Sequence, residues 1–520
     1  MTRGVFGAVF AILFGGMAFG FEPASDSDAA MMKKRLIPLP VSVEFGSETV
    51  PLDDKLAVAL VVADSDGALE AFETFFSQWF GTKPTAALKN TADNADNAEN
   101  AENAESAEPL PPDGYTLAAE NGTLNITAQN RNGVVNALKT LRQLAEPVRD
   151  AATFSHYYIP TLKIRDFPAL DFRGLHLCWF PETDPARIEQ AIRAAAYYKF
   201  NYIVLEMWGT YQYEKRPEFC WSQYAVGKDE IRRLVEIGRA QGVTLIPQLN
   251  LFGHASASRS VSGKHAILDF HPEFQPLFEP DGWSWCLSNP ATRTVLTDLV
   301  LELYDAFCAP PFFHLGCDEA FSAATTCPVC RKADYKALLL DHLTYFCDMF
   351  AERGCRTMMW HDMLIEPEEQ FKGYYTFANK NTAGILDQLP KQMILCDWEY
   401  AAPKPDEKWP TMVYLQEKGF DVIACPWTNR AGIESQGALV RDRKMFGLLV
   451  TTWHHLDGGE MRTMLASGAR SAWGTPHSGY DALEVDTHLR HVGWDMKDRI
   501  GYQQTGVCPW QLDPTPNGGR

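Results

Sequence analysis

Residues 311–319 read PFFHLGCDE, an apolar run that closes on two adjacent carboxylates. A short apolar run between helical patterns reads as a buried strand, here expected over Pro311–Cys317. The same layout recurs on both sides of it. Further strands are expected at Phe172–Cys178, Asn201–Glu206, Val243–Asn250, Arg356–Trp360, Met393–Trp398, Asp421–Trp427 and Leu448–Trp453. Helical patterns fall between them, among others at Pro185–Tyr198, Asp229–Gln241, Ala291–Phe307 and Tyr335–Arg353. Eight strands alternating with helices predict an α/β chain with a (β/α)8 TIM barrel over residues 170–480. The alternative is an open doubly wound sheet, but no glycine-rich phosphate loop follows the first strand.

Upstream of the barrel, residues 36–150 read as a small α+β domain. LAVALVVA (56–63) and GTLNITAQ (122–129) have strand character, and RNGVVNALKTLRQLA (131–145) has the apolar spacing of an amphipathic helix. Within this domain the Ala/Asn/Asp/Glu repeats of 90–109 offer no apolar face to bury and are expected to be a disordered insertion. At the N-terminus, Met-Thr-Arg precedes an apolar run from Val5 to Phe19 and a small-x-small site at Ala18-Phe19-Gly20. That is the layout of a cleavable secretory signal over residues 1–20, so a secreted or periplasmic location is expected. Residues 481–520 are expected to form a C-terminal helix and tail.

Composition narrows the function classes. Hydrophobic residues make up 46% and charged residues 22% of 520 residues, enough for a large packed core. A formal net charge of −19 argues against the basic face that nucleic acid requires. The 14 tryptophans are compatible with sugar binding, where the apolar face of a pyranose stacks on indole. All 12 cysteines lie between Cys178 and Cys508. Cys178, Cys308, Cys317, Cys396 and Cys425 sit in apolar runs and read as small core residues. Cys327-Pro-Val-Cys330 reads as a loop pair, a local disulfide or half a metal site, with no second such pair to complete a zinc set; a structural role is favoured.

In a barrel of this kind the C-terminal ends of the strands converge on the active site. Strand one carries Arg173 and His176, strand two ends in Glu206-Met207-Trp208, and strand three leads to Gln248, Asn250 and His254. Strand four ends in Asp318-Glu319. The last four end in Trp360-His361-Asp362, Asp397-Trp398-Glu399-Tyr400, Trp427, and Trp453-His454-His455. One tryptophan per late strand points to an aromatic box around a sugar. Adjacent side chains leave a strand in different directions, so Asp318 and Glu319 can reach different atoms of one substrate. A glycosidase needs a protonated carboxylic acid beside the leaving-group oxygen. Its second carboxylate is dispensable when the substrate's own 2-acetamido oxygen attacks the anomeric carbon. Plainer readings stand beside these. Asp318 could cap a following helix, His176 and His314 could be structural, and His361-Asp362 could be a metal pair lacking an identifiable third ligand. No metal or cofactor is expected.

FFHLGCDEAF resembles the His-x-Gly-Gly-Asp-Glu signature of glycoside hydrolase family 20, the β-N-acetylhexosaminidases, and its Cys317 is similar to the branch that contains hexosaminidase D. DFPALDFRGLHL, GVTLIPQLNLFGHAS and CLSNPATRTVL resemble further family motifs in the family's order, over roughly residues 36–475. The resemblance implies an exo-acting, retaining, substrate-assisted enzyme that releases terminal GlcNAc or GalNAc from a glycan. It implies Glu319 as general acid/base and Asp318 as the residue that orients the acetamido group. Arg173 would bind sugar hydroxyls, Trp360, Trp398, Trp427 and Trp453 would wall the subsite, and Tyr400 would donate to the acetamido carbonyl. His254, Glu206 and His314 would stand behind them, His254 together with Glu206 tuning Glu319. Two departures stand out: Gln248 and Asn250 stand where the family often has acids, which alters the electrostatics around the base, and His454-His455 follow the last tryptophan where the family has an acid that binds O4 or O6, which leaves gluco/galacto preference open. A lacto-N-biosidase-like activity and a silent glycan-binding protein remain the alternative readings.

Overall fold

The computed structural model describes residues 22–90, 109–150, 153–475, 482–493 and 500–501, apart from 182, 221, 223, 256–266, 405, 454 and 457. The expected signal, and the insertion beyond Asn90, lie outside these residues. Asn90 itself closes a strand rather than opening a disordered tract.

The first layer is a seven-stranded sheet: β1 (Ser42–Leu52), β2 (Ala57–Val62), β3 (Ala86–Asn90), β4 (Tyr115–Glu120), β5 (Thr123–Ala128), β6 (Glu146–Asp150) and β7 (Thr153–Asp166). Its order is β1-β7-β4-β5-β2-β3, with β6 paired to β7. Burial alternates along β4 and β5, as it must where one face meets a core and the other does not. The helices Ala68–Phe80 and Arg131–Leu144 supply the aromatic and aliphatic side chains of that core. The small domain does not stop at residue 150, because β7 continues the sheet to Asp166.

Eight parallel strands then close a barrel: β8 (Phe172–Trp179), β9 (Tyr202–Met207), β10 (Thr244–Gln248), β11 (Phe312–His314), β12 (Arg356–Trp360), β13 (Ile394–Asp397), β14 (Asp421–Ala424) and β15 (Gly447–Thr451). Every residue of β8 is buried, the pattern of a strand covered on both faces. Phe172, Val204, Ile246, Phe312, Met358, Ile394, Ile423 and Leu449 fill the barrel interior. The helices outside start where short polar side chains accept from free backbone amides: Asp184 from Ala186, Asn289 from Ala291, Asp334 from Ala337 and Asn429 from Gly432.

Strands three and four are shorter than their apolar runs. β11 stops at His314 because Gly316, Cys317 and Glu319 take positive φ values of 65°, 77° and 48°, and a left-handed residue cannot continue a strand. Cys317 is buried as expected, but in a conformation that favours glycine, so its presence in place of a family glycine carries a backbone cost. Cys308 is no core residue; it is exposed just after the helix Pro290–Ala306. The helix Ala482–His491 packs back on the barrel, with Tyr198 Oη 3.3 Å from His488 Nδ1.

Candidate active site

The loops after β10 and β11 touch through two glycines. A Cβ on Gly253 would lie 1.8 Å from the Asp318 carbonyl oxygen, and one on Gly316 would lie 1.8 Å from Asn250 Oδ1. Only this close approach sets His254 against the carboxylate pair. His254 Nε2 lies 3.3 Å from Asp318 Oδ2 and 3.2 Å from Glu319 Oε2. Burial alone would lower the pKa of His254; the charges and hydrogen bonds of Asp318 and Glu319 overcome it and push it up to about 10. The imidazole is therefore a cation between two acids at neutral pH.

Glu319 is held in its left-handed conformation from both sides. Its amide donates to Asp362 Oδ2 at 2.9 Å, and its carbonyl accepts from Trp283 Nε1 at 2.7 Å. The side chains differ in environment. Glu319 is 34% exposed and Asp318 8%, and Asp318 Oδ1 has no hydrogen-bond partner. Burial raises the pKa of Asp318, opposed by His254. Asp362, buried and facing the charge of Asp318, is pushed well above the carboxylate range. Asp318 does not cap a helix, since turns follow it.

Asp362 also links the carboxylates to the aromatic side of the chamber, because Trp398 Nε1 donates to Asp362 Oδ1 at 3.2 Å. Trp398 stacks on Tyr400 at 5.3 Å and on Tyr375 at 4.4 Å between ring centroids. Tyr400 meets Trp427 at 5.4 Å and Trp453 at 6.1 Å, and Trp453 meets Trp360 at 5.2 Å. All four expected tryptophans and Tyr400 thus share one chamber. Burial, with Cys425, Asp318 and Glu319 nearby, pushes the Tyr400 hydroxyl up and keeps it a neutral donor.

His314 meets Trp360 in a tilted contact at 4.3 Å between ring centroids, and burial lowers its pKa well below the usual value. Glu206 lies deeper than the pair. It accepts from Asn250 Nδ2 at 2.8 Å and from the Cys178 thiol at 3.1 Å, and it lies 3.1 Å from His176 Nε2. Burial raises its pKa, yet those hydrogen bonds and His176 win and hold it low. Its charge acts on Asp318, whereas Glu319 was the expected target.

Arg173 is not in this site. It stands one residue from the start of β8, at the opposite end of the barrel, and points outward: Phe172 and Gly174 flank it on the interior side. Its guanidinium pairs with Asp113 at 2.7 Å, donates to the carbonyls of Leu170 and Lys199, and lies over the Trp473 ring. Counting alternation from the strand start would have placed it there. Asp362, Trp283 and Tyr375 are site residues the sequence reading did not assign. His361 turns out to have acidic neighbours of its own, with Nε2 3.6 Å from Asp397 Oδ2 and 3.9 Å from Glu399 Oε1.

Residues 33–167 match the family model "Glycosyl hydrolase family 20, domain 2", and residues 187–429 match "Glycosyl hydrolase family 20, catalytic domain". A β-hexosaminidase of Akkermansia muciniphila is 27% identical over 276 residues, 46% of this chain and 52% of the relative. One of Porphyromonas gingivalis is 22% identical over 359 residues, 64% of this chain and 45% of the relative. The chain thus spans about half the length of these curated relatives. Among solved structures, an exo-β-N-acetylglucosaminidase of Vibrio harveyi with N-acetylglucosamine bound superposes with a TM-score of 0.65 at 16% identity, covering 92% of this chain and 79% of that one. The β-N-acetylhexosaminidase of Streptomyces coelicolor A3(2) gives 0.62 at 16%, covering 94% and 100%. At these identities the superpositions speak for the fold alone.

Proposed function

Since this chain belongs to glycoside hydrolase family 20, we propose that it is an exo-acting β-N-acetylhexosaminidase that releases terminal GlcNAc or GalNAc from glycans with retention of configuration. The observation that carries the reading is Glu319, locked by Asp362 and Trp283 beside the buried Asp318 and opposite the aromatic chamber. Glu319, the more exposed carboxyl, protonates the glycosidic oxygen. The acetamido carbonyl oxygen attacks the anomeric carbon, the aglycone leaves as an alcohol, and an oxazolinium ring forms. Asp318 Oδ1, free of other partners, accepts the acetamido N–H and balances the developing positive charge. Tyr400 donates to the acetamido oxygen. Glu319, now a carboxylate, takes a proton from water as that water opens the ring from the face the aglycone left, which restores the β configuration. His254, a cation, keeps the pair from accumulating two uncompensated charges.

Aryl β-GlcNAc and β-GalNAc substrates test this, together with analogues whose acetamido group is progressively fluorinated. Fluorination weakens the carbonyl nucleophile, so kcat/KM is expected to fall stepwise. Turnover indifferent to fluorination would rule out substrate assistance, and absence of turnover on both sugars would rule out the activity.

The proposal extends to export, supported by the apolar run Val5–Phe19 and the following small residues. N-terminal sequencing of protein recovered outside the cytoplasm is expected to begin near residue 21; an intact Met1 would overturn it. No helix among the described residues is long and apolar enough to cross a membrane.

A further inference from the structure

Cys286, 41 residues before the nearer member of the Cys327-Pro-Val-Cys330 pair, comes to lie against both. Its Sγ is 4.0 Å from that of Cys327 and 3.6 Å from that of Cys330, and all three sulfurs lie within 4.8 Å of one another. Three thiolates on a tetrahedral zinc ion, each at ~2.3 Å, have sulfur–sulfur edges of about 3.8 Å. A disulfide requires contact at about 2.05 Å and would leave the third thiol without a partner. The Cys330 amide points at Cys327 Sγ from 3.5 Å, a donation that favours a thiolate in the turn of the pair. We propose that Cys286, Cys327 and Cys330 bind one zinc ion, with a water molecule as fourth donor. The groove lined by Cys286, Cys327, Phe278, Pro280, Ser288 and Pro328 gives that water access. Zinc is the metal that soft thiolates in a tetrahedral array select without redox chemistry.

The ion would join two excursions of the barrel rim. Cys286 closes the one that carries Trp283 and Trp285, after β10. Cys327 and Cys330 close the one that starts at Asp318-Glu319, after β11. Other bonds already lace the same seam. Glu279 accepts from the amides of Ala324 and Cys327, and Trp285 Nε1 donates to the Asn250 carbonyl. Zinc would complete it and so hold Trp283 where its indole meets the Glu319 carbonyl.

Elemental analysis of the full chain, purified without chelator, tests the assignment and needs no turnover, so it stands apart from the proposed activity. One zinc per chain is expected. It should be released by a mercurial thiol reagent and reduced at least tenfold by Cys286→Ser and by Cys327→Ser, but not by Cys308→Ser at an exposed cysteine elsewhere. Because a cysteine variant can fail to fold, the wild type is also denatured, alkylated without reductant and weighed. All three thiols should alkylate. A disulfide within the trio, another metal in place of zinc, or zinc that survives the Cys286→Ser change would each overturn the proposal.

Discussion

Both ends of the barrel bury charge, and they treat it in opposite ways. At the end facing the small domain, Lys199 Nζ is 2.8 Å from Asp166 Oδ2 and 3.0 Å from Tyr115 Oη, and Trp473 Nε1 donates to Asp166 Oδ1. Arg173 pairs with Asp113 close by. Each of these two carboxylates faces a cation, and both carboxylate oxygens of Asp166 are occupied. At the other end, Asp318 and Glu319 face one imidazole, while Asp318 Oδ1, Trp360 Nε1, Trp453 Nε1 and Glu399 Oε2 are buried without hydrogen-bond partners. Leaving such groups unmatched costs stability. A substrate with donors and acceptors of its own can return that loss as binding. The contrast separates a staple from a site more sharply than residue type does.

The largest expected effect breaks the unmatched end. Glu319→Gln and Asp318→Asn should each lower kcat by roughly 10²–10⁴-fold while leaving the thermal midpoint near that of the wild type. Steady-state rates on an aryl glycoside and a melting curve check both halves. A large drop in Tm with modest loss of rate would mean the pair is structural. The matched end should show the reverse. Asp166→Ala strands Lys199 in the interior and should cost about 3–5 kcal/mol of stability, read by denaturant titration, with kcat of the folded fraction little changed.

Arg173→Met decides between the two ends directly. In the junction its loss leaves Asp113 short of a charged hydrogen bond, worth about 1.5–3 kcal/mol, and KM should stay within twofold. A tenfold rise in KM with unchanged stability would return Arg173 to the sugar pocket. Gly253→Ala probes the contact that seats His254. The added methyl would overlap the Asp318 carbonyl, and overpacking costs roughly 1–3 kcal/mol. Activity should fall with stability, because the same shift moves the pair.

The barrel was legible because each strand is apolar on both faces, a signal that survives without any knowledge of partners. Its limits were not. Hydropathy continues through Leu315 and Cys317, whereas the backbone turns left-handed at Gly316, and nothing in residue character announces that. The site was legible where the chain clusters it, at Asp318-Glu319 and at the tryptophan closing each late strand. It was misread where a motif was trusted over position, at Arg173. Asp362, Trp283 and Cys286 act through contacts between different loops, and such pairings are set by close approaches like Gly253 on Asp318.

The smallest effect concerns a second acid pair on the unmatched rim. Asp397 and Glu399 are buried together beside His361, and burial raises both, Asp397 to about 7 and Glu399 to about 10. His361 is driven down to about 3 by burial and supplies no positive charge. An unfolded aspartate releases its proton near pH ~3.9, so between that pH and about 7 the native state holds a proton that the unfolded chain has lost. Stability contributed by neutral Asp397 is therefore complete below the unfolded value and is lost as pH rises through the folded one, with a slope of at most ~1.4 kcal/mol per pH unit. Melting curves at pH 5 and pH 7.5 should show the midpoint falling, and Asp397→Asn, which cannot ionise, should lessen that fall, leaving the part that Glu399 contributes. If the midpoint holds steady over this range, the rim balances its charge as fully as the junction does, and the distinction between the two ends fails at this pair.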